Sequence, residues 1–228
     1  AALLVSGVTA RLGFWQLSRA QTKETLNAMS ESRQREPALH NADWTSLPAP
    51  DTWLQRSVDV EGQWLASLTI YLDNRSMKSQ TGFFVLTPFQ LTNGPVLLVQ
   101  RGWVARDRVR SDFLPPVHTP QGKMRIQGKI VPSPSKLMEL GSSAQVKEGF
   151  AVLRQNVDLN ELRVQTKLPI VASVLQTGEP SEGMLRDWPQ AISGADKNRG
   201  YAFQWFALSF LTLCLFLWFQ VWKKIKHV

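Results

Sequence analysis

The 22 residues from Tyr201 to Trp222 include no Asp, Glu, Lys or Arg, and no other feature restricts the architecture of this chain as much. At about 1.5 Å of rise per residue, such a run forms a helix of roughly 33 Å, enough to cross a hydrocarbon core of ~30 Å. Its aromatic residues gather near the ends. Tyr201, Trp205 and Phe206 lie at one end and Trp218, Phe219 and Trp222 at the other, where amphipathic rings favour the headgroup layer. Lys223, Lys224 and Lys226 follow directly, which places that end in the cytoplasm by the positive-inside rule. A buried helix in a soluble core is the alternative, but the rest of the chain is too small and polar to enclose it.

At the other end, "AALLVSGVTARLGFWQL" is apolar but short, and Arg11 interrupts it. We read it as the C-terminal half of a span whose beginning lies ahead of Ala1. Arg11 then snorkels to the headgroups, and Trp15 supplies the interfacial ring. A signal-peptide remnant or an amphipathic surface helix is the competing reading. Two spans divide the chain into a first helix at 1–18, an extracytoplasmic domain at 19–196, a second helix at 197–222 and a basic cytoplasmic tail at 223–228.

Hydrophobic residues make up 43% of the 228 and charged residues 19%, which excludes a mainly disordered protein. The single cysteine, Cys214, can build neither a disulfide framework nor a thiolate zinc cluster. The net charge of +8 includes the three tail lysines. What remains is a modest excess, which argues against nucleic acid as a partner and for membrane lipid.

Residues 17–36 lack Gly and Pro and are rich in helix formers, so they read as a polar helix ended by Pro37. Beyond it come short β-branched and aromatic runs at Ser57–Glu61, Thr69–Asp73, Gly82–Pro88, Val96–Trp103, Met124–Val131, Phe150–Gln155 and Ile170–Leu175. Thr92-Asn93-Gly94 between two of these runs reads as a hairpin turn, because an Asn-Gly pair accepts positive φ. Val96–Val99 is apolar without alternation, as in a strand covered on both sides. Residues 131–143 read as a loop with a short helical turn, and 179–200 as a polar approach to the second span. The fold class expected is therefore a membrane protein in which two transmembrane helices enclose a β-rich α+β domain, an antiparallel barrel or sandwich.

The chemical motifs of common enzymes are missing. His40, His118 and His227 have no metal-ligand spacing, and there is no GxSxG elbow, Walker loop or GxGxxG turn in a βαβ context. Asp158 and Glu161 read as a solvated helix face. Three polar-aromatic constellations remain. Trp15, Gln16 and Arg19 stand at helical spacing, so that Trp15 and Arg19 share a face. Asp73-Asn74-Arg75 ends a strand. "QRGWVARDRVR" carries four Arg and one Asp between 101 and 110, a group suited to lipid phosphates, haem propionates or an acidic protein patch, or else a solvated basic loop.

Taken in order, these pieces resemble one family. They are Gly13-Phe14-Trp15-Gln16-Leu17 with Arg19 and Lys23, Asp73-Asn74-Arg75, Gly82-Phe83 and Thr87-Pro88, Arg101-Gly102-Trp103-Val104, then Tyr201-Ala202 and Gln204-Trp205-Phe206 opening the last span. The set resembles the Surfeit locus protein 1 family from end to end. That resemblance implies a non-enzymatic factor in the assembly of cytochrome c oxidase, with subunit I as partner and haem a as a transient cofactor. The chain lacks long insertions, which points to a bacterial member, a multi-pass protein of the inner membrane with its central domain in the periplasm. Family members often carry a His three residues before the Tyr that opens the last helix, the natural candidate for a haem ligand. This chain has Asn198 there, and amides are poor ligands for haem iron. The expected contact residues for partner or haem are Trp15, Gln16, Arg19, Arg75, Arg101, Gly102, Trp103, Asn198, Tyr201, Gln204 and Trp205. The rival readings are a haem a-binding carrier and a membrane-anchored interaction module for another envelope complex.

Overall fold

The structure, a computed structural model, describes residues 1–45, 50–107, 109–110, 113–134, 152–188 and 194–222. The chain divides into two compact units. One joins Ala1–Glu31 to Pro189–Val228, and the other is Ser32–Trp188.

The second unit is built on seven strands, β1 (Ser57–Trp64), β2 (Ile70–Met77), β3 (Gln80–Leu91), β4 (Val96–Ala105), β5 (Met124–Val131), β6 (Leu153–Arg154) and β7 (Ile170–Gln176). Their order is β1-β5-β7-β4-β3-β2-β6, and a further β1–β3 pairing closes the first five into a barrel. β3 makes this possible through its length. Phe89–Leu91 pair with β1, whereas Gln80–Leu86 pair with β2. The expected barrel is present, but it is not purely antiparallel. β4 lies parallel to β7, and β2 to β6. A parallel pair needs a crossover between its strands, and the connection from β4 to β7 includes the short helix α2 (Leu159–Thr166).

Each sequence pattern has a visible cause. The turn after β3 holds Asn93 at φ 57°, as an Asn-Gly hairpin requires. Along β4, Leu97 and Val99 join one core with Trp64 and Phe89, while Val96 and Leu98 join a second with Leu72 and Leu162. The uninterrupted apolar run thus reflects burial on both faces. Asp158 is the N-cap of α2 and accepts from the backbone N–H groups of Asn160 and Glu161, a capping role rather than a bare solvated face. β6 is shorter than the run that forecast it, and residues 150 and 151 of that run lie outside the described residues. So do residues 135–143, forecast as a loop with a helical turn, and the tail 223–228.

The first unit is a pair of helices. α1 (Ala2–Arg35) is continuous, so the apolar segment and the polar helix expected at residues 17–36 are parts of one helix. Residues 2–35 hold one Gly pair at 7 and 13 and no Pro, and nothing in the backbone interrupts the hydrogen bonding. α3 (Ala195–Leu217) runs antiparallel to α1, as the pairing of Ser6 with Ser209 and of Gln16 with Asn198 shows. Ser6, Thr9, Gly13 and Ala20 are the buried residues of α1, at near-heptad spacing. The Phe206 ring covers Gly13 so closely that a Cβ there would meet it at 2.6 Å. Among the described residues, only Ala195–Gln220 is a helix long and apolar enough to cross a membrane. Its apolar surface is largely uncovered, with Phe203 75% exposed.

Candidate functional site

Within the helix pair, two residues of the forecast site, Gln16 and Asn198, are linked to each other and, through Asn198, to Lys23, which was not among the forecast contacts. Lys23 Nζ donates to Asn198 Oδ1 at 2.7 Å, and Asn198 Nδ2 donates to Gln16 Oε1 at 2.5 Å. A lysine ammonium only donates, so it fixes the amide orientation and directs Nδ2 towards Gln16. Lys23 also reaches the carbonyl of Gly194, the N-cap of α3, at 3.5 Å. At the next position of each helix, Arg199 pairs with Glu24 at 2.8 Å. At the other end of the contact, the hydroxyls of Ser6 and Ser209 lie 2.8 Å apart.

The aromatic members of the forecast face outward. Arg19 lies over the exposed Trp15 ring at 5.7 Å from its centroid, the stacking that their spacing suggested. Tyr201 and Gln204 are exposed, and Trp205 is half-buried. Phe14 meets Phe206 edge to face at 5.1 Å.

The barrel residues behave in the opposite way. Arg75, Arg101, Gly102 and Trp103 were expected at a contact surface, and all four are buried. Asp73 and Asn74 form a bulge in β2, with Asn74 at φ 57°, and this turns Arg75 inward. Arg75 donates to the Gln155 carbonyl at 2.6 Å, while its own carbonyl accepts from Trp103 Nε1 at 2.8 Å. Burial lowers the affinity of Arg75 for its proton, and Asp73 opposes that effect. Gly102 is small of necessity, because a Cβ would stand 2.4 Å from that of Met184. The backbone of Trp103 exchanges hydrogen bonds with Leu185 at 2.8 and 2.9 Å. Trp103 is therefore a core residue tied to the loop after β7.

The expected basic surface of residues 101–110 is likewise reduced. Arg101 is internal, Arg106 pairs with Asp73, and Arg110 pairs with Asp107 while covering the Phe113 ring at 4.2 Å. Tyr71 has its hydroxyl pKa raised by burial, with Arg101 acting against the shift, and its O–H donates to the Pro115 carbonyl at 2.8 Å.

The profile of the SURF1 family matches residues 3–210, which takes in the barrel strands, nearly all of α1 and the larger part of α3. The chain belongs to the SURF1 family. A SURF1-like protein of Rickettsia felis is 36% identical over 104 residues, covering 44% of this chain and 43% of that protein. A SURF1-like protein of Mycobacterium tuberculosis is 26% identical over 182 residues, 75% of this chain and 62% of the relative. The yeast protein named cytochrome oxidase assembly protein SHY1 is 30% identical over 103 residues, 44% of this chain and 26% of its own length. The alignments therefore span under two thirds of each of these relatives.

In this SURF1-family chain, a haem ligand is not available where the family resemblance would put one. The Asn198 amide is bonded at both ends, and its neighbours Lys23 and Gln16 are not iron ligands. The described residues of the helix pair include no histidine. The phenol of Tyr201, three positions on, is exposed, and none of its described contacts supplies a second ligand. The residues present do not fit a haem centre at this place.

Glu24, Arg199, Ser6 and Ser209 were absent from the forecast. The near-heptad series of small residues in α1 was the signal for the serine contact. No local signal announces the Glu24–Arg199 pair, since its partners are 175 positions apart.

Proposed function

We propose that this chain is an assembly factor for cytochrome oxidase, acting through protein contacts rather than by chemistry of its own. The observation that carries this reading is the family profile over residues 3–210, read with the name of the yeast relative. The reading extends to haem a insertion into subunit I, with the oxidase intermediate held while the cofactor enters.

In this reading the helix pair is the membrane anchor. α3 spans the bilayer, and the apolar half of α1 passes beside it as a second span. Two features support that placement. Ser6 satisfies its hydroxyl on Ser209, and Thr9 donates to its own helix at Val5 O, 2.9 Å, so neither turns an unpaired polar group to lipid. Trp15 with Arg19 on α1 and Tyr201 with Trp205 on α3 form one aromatic and cationic band suited to a headgroup layer. The barrel then lies on the far side of the membrane from the lysine tail, in the periplasm of a bacterium. Residues left exposed, Trp15, Arg19, Tyr201 and Gln204, are the ones free to meet subunit I.

Deleting the gene tests the proposal. Haem a-containing oxidase activity should fall while the oxidase subunit transcripts stay at their normal level. Unchanged oxidase spectra in the deletion strain would refute it. Co-purification with an envelope complex unrelated to the oxidase would favour the general interaction module instead.

A further inference from the structure

Among the described residues, Arg101 is the largest fully buried side chain, with 0% exposure. A buried guanidinium must find counter-charge and partners for five N–H donors. Arg101 Nη1 donates to Thr119 Oγ1 at 2.7 Å and reaches Thr87 Oγ1 at 3.5 Å, and Nη2 donates to the His118 carbonyl at 2.8 Å and to Glu182 Oε2 at 2.5 Å. Two donors are left over. Arg101 Nε and Trp64 Nε1 are buried without a hydrogen-bond partner among the described residues. They belong to the same place, because the Arg101 guanidinium lies over the Trp64 ring at 4.6 Å from its centroid.

The one carboxylate present uses the site poorly. An Arg fork donates to both oxygens of a carboxylate along its Nε–Nη2 edge, the strong bidentate geometry. Glu182 supplies a single oxygen to Nη2, and Nε stays empty. Glu182 also arrives from outside. It sits in a tight turn between Ser181 and Met184, at φ 58° and followed by Gly183 at φ 77°, and its side chain is 13% exposed where that of Arg101 is not exposed at all. The turn is held independently of this ion pair. Arg186 donates to the Arg101 carbonyl at 2.8 Å, to the Glu179 carbonyl at 2.5 Å and to Ser181 Oγ at 2.8 Å. The Glu182 side chain can therefore leave without unfastening the strap that carries it.

We propose that Arg101 is the centre of a carboxylate-binding site, and that Glu182 is its resident, displaceable occupant. The ligand is a carboxylate that engages the Nε–Nη2 edge of Arg101, satisfying the donor that Glu182 leaves unpaired. Trp64 forms the floor of the site. Thr119, through Nη1, and the His118 carbonyl, through Nη2, hold the guanidinium in place, so the site is built before a ligand enters.

Chemical rescue in the intact chain tests this. Glu182→Ala leaves a buried cation without its anion, and its melting temperature should fall by several degrees. Added acetate should restore that temperature in a saturable manner, and chloride at the same ionic strength should not. By calorimetry, acetate should bind Glu182→Ala at least tenfold more tightly than the native chain. A tetraglutamate peptide that binds better than acetate would identify the ligand as an acidic segment of a protein partner. Preference for acetate would identify a small carboxylate. Glu182→Gln, which keeps the shape and removes the charge, serves if the alanine variant does not fold. If acetate and chloride act alike on the variant and no saturable heat is seen, the site does not exist.

Discussion

The barrel and the helix pair use the same residue types for opposite ends. In the barrel, Arg75, Arg101 and Trp103 turn inward, and most of their polar atoms meet backbone carbonyls, threonines, Glu182 and one another. In the helix pair, Trp15 and Arg19 turn outward, and the inward positions go to Ser6, Thr9, Gly13 and Ala20. The difference follows from what each unit must bury. A closed sheet has a large interior that can enclose a guanidinium, provided its donors are met. Two helices approach closely only over small side chains, so their aromatic groups are left for lipid or a partner. An Arg-Gly-Trp motif is thus no guide to exposure until the element that carries it is known.

The largest effect that should separate the two units comes from Trp103→Ala. It removes a buried indole and the hydrogen bond to the Arg75 carbonyl, at a cost of about 3–5 kcal/mol. Thermal unfolding followed on the barrel should shift strongly downward. Disulfide trapping between α1 and α3, with cysteines placed at Ser6 and Ser209, should proceed as before. A change in trapping would mean that the two units are not energetically separate.

Asn198→Ala should do the reverse. It leaves Lys23 and Gln16 without their shared partner, a loss of about 1–3 kcal/mol if the site is dry. Trapping across the serine contact should slow, while the barrel transition stays in place. Asn198→Asp keeps the Lys23 contact as an ion pair and should trap closer to the native rate.

The smallest effect concerns pH. Asp59 accepts from Arg125 Nε at 2.7 Å and Nη2 at 2.8 Å, and chiefly for that reason its pKa lies below the ordinary 3.8. A carboxylate with a depressed folded-state pKa adds stability above its unfolded value and loses it as pH falls through the folded one. Barrel stability should therefore decline below about pH 4. The Asp59→Asn chain should show a flatter decline there, measured by denaturation at a series of pH values.

Much of the barrel was legible because its strands carry local signatures. Alternation, the Asn93-Gly94 turn and the uninterrupted run at Val96–Val99 each depend on residues close in sequence. The parallel pairing of β4 with β7 was not legible, since it joins segments about 70 residues apart with no turn between them to announce it. Arg101 failed for the same reason. Its burial depends on Thr119 and on Glu182, which lies 81 positions downstream, so a run of basic residues read alone looked like surface. Asn198 could be singled out from the sequence by what it replaces, but its bonds to Lys23 and Gln16 required the antiparallel register of the helices.

We propose that this chain serves oxidase assembly without ligating haem iron, since Asn198 is an interhelical tie. The most direct measurement is the absorption spectrum of the intact chain purified from cells that make haem a. The predicted result is no stoichiometric Soret band, with the same spectrum from Asn198→Ala. A Soret band that disappears in Asn198→Ala or Tyr201→Phe would contradict it.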